Sequence, residues 1–249
     1  MTTPASDTTV ERTTDSRPAS SAFRFQVQPE FHEIPLGAGA DEVALDEQMV
    51  AFARDYWGGQ EEREPLRALT AALYGVNSRH LVSEGAVYNA MGVFPVGGSE
   101  DGSQPVERVS RCTLLVSVQD LANPDPALAA AGIAETLARS KDGGDVLPVR
   151  LPAGPAVVHV AGTRMVWQLA DGEQERFAVR IEIWLPFPDE DRVLLLSLSS
   201  ADVQDLYMYQ AVLADIADTI AFDDAGRDHR VDAPVAPART TTPTPNPFG

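Results

Sequence analysis

The chain predicts an α+β fold: an antiparallel sheet of about seven strands packed by four helices in an α/β/α sandwich. Three observations carry that expectation. Phe177, Val179, Ile181, Ile183 and Leu185 alternate with Arg180, Glu182 and other residues, which is the two-residue period of a strand with one dry face. Short apolar runs separated by turn residues follow one another from Val146 to Leu198, as in a meander. Leu206, Tyr209, Leu213, Ile216 and Ile220 recur at helical spacing.

Taken in order, Phe23–Val27 alternates and opens the folded body as a strand. Leu45, Met49, Phe52 and Tyr56 form the apolar stripe of a first helix that stops at Gly58-Gly59. Leu66, Leu69 and Leu73 form the stripe of a second helix, expected to end near Gly75. Ala86–Phe94 and Val109–Val118 read as two strands joined by the polar loop Gly97–Gly102. Asp125-Pro126 is a helix start, because aspartate accepts from exposed N–H groups and proline at the first helical position removes a donor that has no partner. Ala130, Ile133, Ala134 and Leu137 are that helix's buried face. Val146–Leu151 and Ala156–Val160 are taken as one strand bent at Gly154-Pro155, followed by Met165–Leu169, Phe177–Leu185 and Val193–Leu198.

The expected organisation is a disordered tail over 1–22, a single α+β domain over 23–222, and a disordered Pro/Thr-rich tail over 223–249. An apolar share of 44% and a mean hydropathy of -0.14 are those of a soluble globular chain. No run has the length of a membrane span, and the first residues have neither the basic start nor the apolar stretch of a signal peptide, so the expected location is cytoplasmic with no membrane insertion. The net charge of -18 repels nucleic acid, which is not an expected partner. Lys141 is the only lysine among 19 basic residues, a usage typical of GC-rich genomes.

No catalytic residue, cofactor or metal site is assigned. Cys112 is the only cysteine, in a strand-like run, and reads as a small buried hydrophobe. Gly37-Ala38-Gly39-Ala40-Asp41 lacks the third glycine of a dinucleotide loop, and the acids after it complement a helix dipole instead of holding phosphate. His32, His80, His159 and His229 show no metal-ligand spacing, and His159 reads as a hydrogen-bonded or surface histidine. Ser197, Ser199 and Ser200 fall outside any Gly-x-Ser-x-Gly elbow and read as capping residues. The acidic turn Pro188–Asp191 and Asp223-Asp224 lack the ligand spacing of a calcium loop. Arg180 and Glu182 are placed to form cross-strand pairs.

Leu151–Val157, Trp184-Leu185-Pro186-Phe187-Pro188 and the serine-rich link into Tyr207–Ile220 resemble the PsbP-like α/β/α sandwich, in particular its actinobacterial branch of small uncharacterised proteins. The resemblance covers roughly 23–222 and implies a non-enzymatic accessory or binding role in a bacterial multi-protein system such as secretion. It supplies no catalytic residue. The partner expected on that account is a protein, with Trp57, Tyr88, Trp167, Trp184 and Tyr207 as candidate anchors.

Two further functions remain open on the sequence. One is a small-ligand binder or enzyme with a pocket between the sheet and the first helix pair, built from Tyr88, His159, Arg164 and Arg180. The other is a homo-oligomer joined through an exposed edge at Phe23–Val27. The threonines of Thr8–Asp15 are candidate phosphorylation sites for recognition by an arginine-lined partner.

Overall fold

A computed structural model describes residues 8–12, 23–37, 41–97, 106–141, 143–169, 172–188 and 190–222. Its elements are β1 (Thr8–Arg12), β2 (Phe23–Val27), β3 (Phe31–Glu33), α1 (Glu42–Trp57), a 3-10 turn (Glu61–Arg63) and α2 (Glu64–Ser83). There follow β4 (Ala86–Val96), β5 (Arg108–Asp120), α3 (Pro126–Ala138), β6 (Asp145–Leu151), β7 (Gly154–Leu169) and β8 (Gly172–Pro186). The last are β9 (Arg192–Ser200), a 3-10 turn (Val203–Asp205), α4 (Leu206–Asp218) and β10 (Ala221–Phe222).

The fold is α+β, with a seven-stranded antiparallel sheet in the order β3-β4-β5-β9-β8-β7-β6. One face buries Tyr88, Leu114, Val116, Ile181, Ile183, Leu194, Leu196 and Leu198 under α4 and a small sheet of order β1-β2-β10. The opposite face carries two separate covers. The α1/α2 hairpin packs Leu45, Met49, Phe52 and Tyr74 around Ile34 and Met91, and α3 lies against β6, β7 and β8. The result is an α/β/α sandwich whose second helical layer is divided. No helix among the described residues is long and apolar enough to cross a membrane.

The large sheet has the expected seven strands, but not the expected membership. Phe23–Val27 lies in the small sheet, paired on both sides by β1 and β10, with Phe23, Phe25 and Val27 buried. It is therefore no exposed edge, which removes that route to an oligomer. β3 takes its place in the large sheet. The supposed bent strand is a hairpin: Leu151 pairs with Gly154 across Pro152-Ala153, while β7 runs on through Leu169. Within the leader expected to be disordered, Thr8–Arg12 pairs with β2 along its length. The threonines at 13 and 14 and the C-terminal tail lie outside the described residues.

Phe177 also departs from the dry face. β9 pairs with β8 only from Val179 to Pro186, so Phe177 stands on the two-stranded β7/β8 projection and is exposed. Helix α2 departs further. It runs past Gly75 to Ser83, and its buried positions are Gly75 and Ser78, with Ala71 and Tyr74 half-buried. Small side chains let it approach α1 and the sheet, and Ser78 Oγ donates to the Pro35 carbonyl at 2.8 Å. Leu66, Leu69 and Leu73 face outward.

Gly85 joins α2 to β4 at φ +83, and its carbonyl accepts from Val118 N–H at 2.9 Å. A Cβ there would stand 2.4 Å from the Val118 carbonyl oxygen, a backbone atom that cannot swing aside. Gly85→Ala is expected to lower the unfolding free energy by about 2 kcal/mol in urea titration, combining left-handed strain with that contact. A loss under about 0.5 kcal/mol would show that the link relaxes freely.

Candidate cleft between strand β3 and helix α1

The first helix starts as its sequence dictates. Asp41 caps α1, its carboxylate accepting from Ala44 N–H at 2.8 Å, and Gly58 ends it at φ 78. Residues 38–40 of the supposed phosphate loop lie outside the described residues. Burial of Leu45, Met49 and Phe52 fixes the rotation of α1. That rotation turns Gln48, Ala51, Asp55 and Tyr56 toward the edge strand β3.

Between them lies a cleft of about 470 Å³, lined on the strand side by Phe31, His32, Glu33 and Pro35 and on the helix side by Gln48, Ala51, Phe52, Asp55 and Tyr56. Its volume falls within the range of ligand pockets. Aromatic rings form a continuous wall: His32 meets Tyr56 edge-on at 5.7 Å, Tyr56 stacks near Phe52 at 6.2 Å, and Phe52 meets Tyr74 edge-on at 5.8 Å. Burial raises the Tyr74 hydroxyl above its usual pKa, helped by Tyr56. Asp55 brings a carboxylate from the helix side, while the alternation of β3 turns Glu33 to the sheet face of Phe31 and Ala90, away from α1. A carboxylate beside aromatic faces suits a cation with an apolar stem.

This cleft lies where a pocket is expected, between the sheet and the first helix pair, but none of the four named residues lines it. Tyr88 is buried on the other face of the sheet, edge-on to Phe25. Arg164 pairs with Glu175 on the β7/β8 projection. His159 and Arg180 do converge, both on Glu182. Glu182 Oε2 lies 2.9 Å from His159 Nδ1, and Oε1 lies 3.0 Å from Arg180 Nε. The second His159 nitrogen, Nε2, lies 2.9 Å from the Gly143 carbonyl oxygen. His159 is 1% exposed and Glu182 7%, so this trio is an internal tie between β7, β8 and the α3–β6 connection.

The remaining candidates are structural. Cys112 is buried, and burial pushes its thiol up to about 12. Ser200 Oγ accepts from Asp202 N–H at 2.9 Å and lies 2.9 Å from Tyr209 Oη, so it serves the turn before α4 and not the helix start itself. His80 is exposed on α2, and His229 lies outside the described residues. Among the described residues no three His, Cys, Asp or Glu side chains gather as a metal site. Four of the candidate anchors are dispersed: Tyr88 and Trp184 face opposite sides of the sheet, Trp57 donates to Thr70 Oγ1 at 2.8 Å, and Tyr207 is exposed on α4, while the Trp167 side chain lies outside the described ones. Glu33, Gln48 and Asp55 were not singled out by the sequence, and His32 was weighed there only as a metal ligand. Their one signal is Gln48, Ala51 and Asp55 at helical spacing beside the buried stripe.

No protein-family model matches the chain, and no curated protein matches it in sequence. Among solved structures, LpqN of Mycobacterium tuberculosis, described as involved in cell envelope biogenesis, is similar at 10% identity with a TM-score of 0.40, over 87% of this chain and 91% of that one.

Proposed function

We propose that this chain is a non-enzymatic accessory protein of PsbP-like architecture that holds a segment of a partner protein in the β3–α1 cleft. Its proposed setting is the cytoplasm of a bacterium, within a multi-protein system such as secretion. The observation that carries the reading is the lining of the cleft: His32, Phe52 and Tyr56 present aromatic faces, and Asp55 adds a carboxylate from the helix side. The segment with matching chemistry is an arginine or lysine beside an apolar residue, its stem on the rings and its cation at Asp55. A net charge of -18 draws such a segment in from a distance.

Asp55 is exposed and Tyr56 half-buried, so both can be changed without opening the core. Quantitative pull-down from the native lysate is expected to recover a basic partner with the wild-type chain and at least about tenfold less with Asp55→Lys or Tyr56→Ala. Equal recovery of every partner by all three proteins would sink the reading. A small cationic ligand is the second reading, favoured by the volume of the cleft. Native mass spectrometry separates the two: a small adduct on the wild-type chain that is lost in Asp55→Lys supports the ligand.

A further inference from the structure

Past β10 the sequence runs on through residues 223–249, which lie outside the described residues. Residues 223–232 mix four aspartates with Arg227 and Arg230. From Ala233 onward Arg239 is the only charged residue, and it closes the run Pro234-Val235-Ala236-Pro237-Ala238-Arg239. Prolines spaced by three fall on one ridge of a polyproline II helix, which has about three residues per turn and no internal hydrogen bonds. Such segments dock in aromatic-lined grooves with little ordering left to do. An arginine just beyond the second proline extends past the packed rings, where a carboxylate can receive it. The β3–α1 cleft presents both halves of that match, in the rings of His32, Phe52 and Tyr56 and the exposed Asp55 carboxylate.

We propose that Pro234–Arg239 of the same chain docks in the β3–α1 cleft, prolines on the ring faces and Arg239 at Asp55, and competes there with a partner. The proposal rests on the cleft reading above and adds its regulation. Reach permits the contact. Phe222 pairs with Phe23 at one end of β2, and β3 follows the other end after a turn in which Phe31 N–H donates to the Gln28 carbonyl at 3.1 Å. Five strand residues and that turn set β3 about 20 Å from Phe222. Residues 223–233 span about 35 Å when extended, enough to reverse at Gly226 and still arrive. β3 is the edge strand of the large sheet, so the path passes around the sheet and not through it. Charge selects this segment within the tail. Arg227 and Arg230 sit among aspartates, which Asp55 and a net charge of -18 repel, whereas Arg239 has no acid beside it. A tethered ligand acts at an effective concentration in the millimolar range, so modest affinity fills the cleft and a tighter partner still displaces it.

The probe is a fluorescein-labelled peptide with the sequence of Pro234–Arg239, titrated with the full chain and read by anisotropy. Arg239→Glu, which lies beyond the last strand, is expected to bind it about tenfold more tightly than the wild type, because its own segment no longer competes. Adding Asp55→Lys to that variant is expected to abolish the binding. In a second measurement Ala238→Cys carries a nitroxide, with the buried Cys112 inert. Amide signals of His32, Asp55 and Tyr56 are expected to broaden in the spin-labelled chain at every protein concentration. They are expected to stay sharp in an isotope-enriched chain without the label that is mixed with it. Equal peptide affinity of the wild type and Arg239→Glu, binding by neither, or sharp His32 and Tyr56 signals in the spin-labelled chain would each overturn the proposal. Broadening between chains would overturn it in favour of a second copy. The native partner's loss from Asp55→Lys in the pull-down does not depend on the tail, so the cleft reading and the tail proposal fail separately.

Discussion

Asp205→Ala is expected to lower the unfolding free energy by about 3 kcal/mol at neutral pH, with a deficit that shrinks on acidification. Asp205 precedes α4 but makes no side-chain cap for it. Its carboxylate is 8% exposed and engages Arg108 through both oxygens, with Nη1 to Oδ2 at 2.6 Å. It also accepts from Ser110 Oγ at 2.5 Å. Ser110 contacts Tyr209 Oη, which lies 2.9 Å from Ser200 Oγ and 3.1 Å from the Arg111 carbonyl. One chain of polar groups thus ties α4 to β5 and β9 beneath the core. Removing the carboxylate leaves Arg108 able to turn to water but takes one of two partners from the fully buried Ser110 hydroxyl, which keeps Tyr209 Oη, and opens a gap beneath α4.

The hydrogen bond from Arg108 holds the Asp205 carboxyl below the usual carboxylate range, against the opposing effect of burial and with help from Ser110. A carboxyl depressed in the folded state contributes its full stability above the unfolded value of about 3.9 and loses it as pH falls through the folded value. The difference between wild type and Asp205→Ala should therefore be constant from neutrality to about pH 5 and narrow below about pH 4. Asp215 is pushed up by burial and by Asp218, and its reverse contribution cancels because both proteins carry it. Urea titrations across this pH range give the comparison. A deficit independent of pH would mean that the carboxylate acts only by filling space.

Much of this scaffold is written in local pattern. The alternation from Val179 to Leu185 became a central strand, and Leu45, Met49 and Phe52 became the buried stripe of α1. Asp125 accepts from Ala127 and Leu128 N–H groups, as its place before Pro126 requires. These features depend on neighbours in sequence. β3 has only three residues, too few for a period to show, and it gains its place by pairing with β4. The inner face of α2 is made of Gly75, Ser78 and Ala71, chosen for close approach, so hydrophobicity points to the wrong side. The cleft depends on His32 and Tyr56 meeting across a loop, and the burial of His159 on a carbonyl donated by another connection. Both are tertiary facts with no local signature.

The same dependence makes His159 the most consequential position on the divided face of the sheet. His159→Leu is expected to cost about 3 kcal/mol and to loosen the α3–β6 connection. The Gly143 carbonyl is an acceptor only, so Nε2 donates to it, and Nδ1 makes a second contact with Glu182 Oε2. Leucine matches much of the volume but can supply neither. Glu182 would keep its ion pair with Arg180 but lose its hydrogen bond to the imidazole in a site with little water. Gly144, at φ +101, brings the loop so close that a Cβ would stand 2.4 Å from the Val160 carbonyl oxygen. That tight fit needs the histidine bond to hold it. His159→Gln, with an amide long enough to keep one of the two bonds, should fall midway between wild type and His159→Leu. Hydrogen exchange should quicken at Gly143–Asp145 in the leucine variant and leave α1 and the β3–α1 cleft unchanged. If His159→Leu loses less than about 1 kcal/mol, the trio is not a structural tie, and a ligand role for His159, Glu182 and Arg180 becomes the better account of a buried charge cluster.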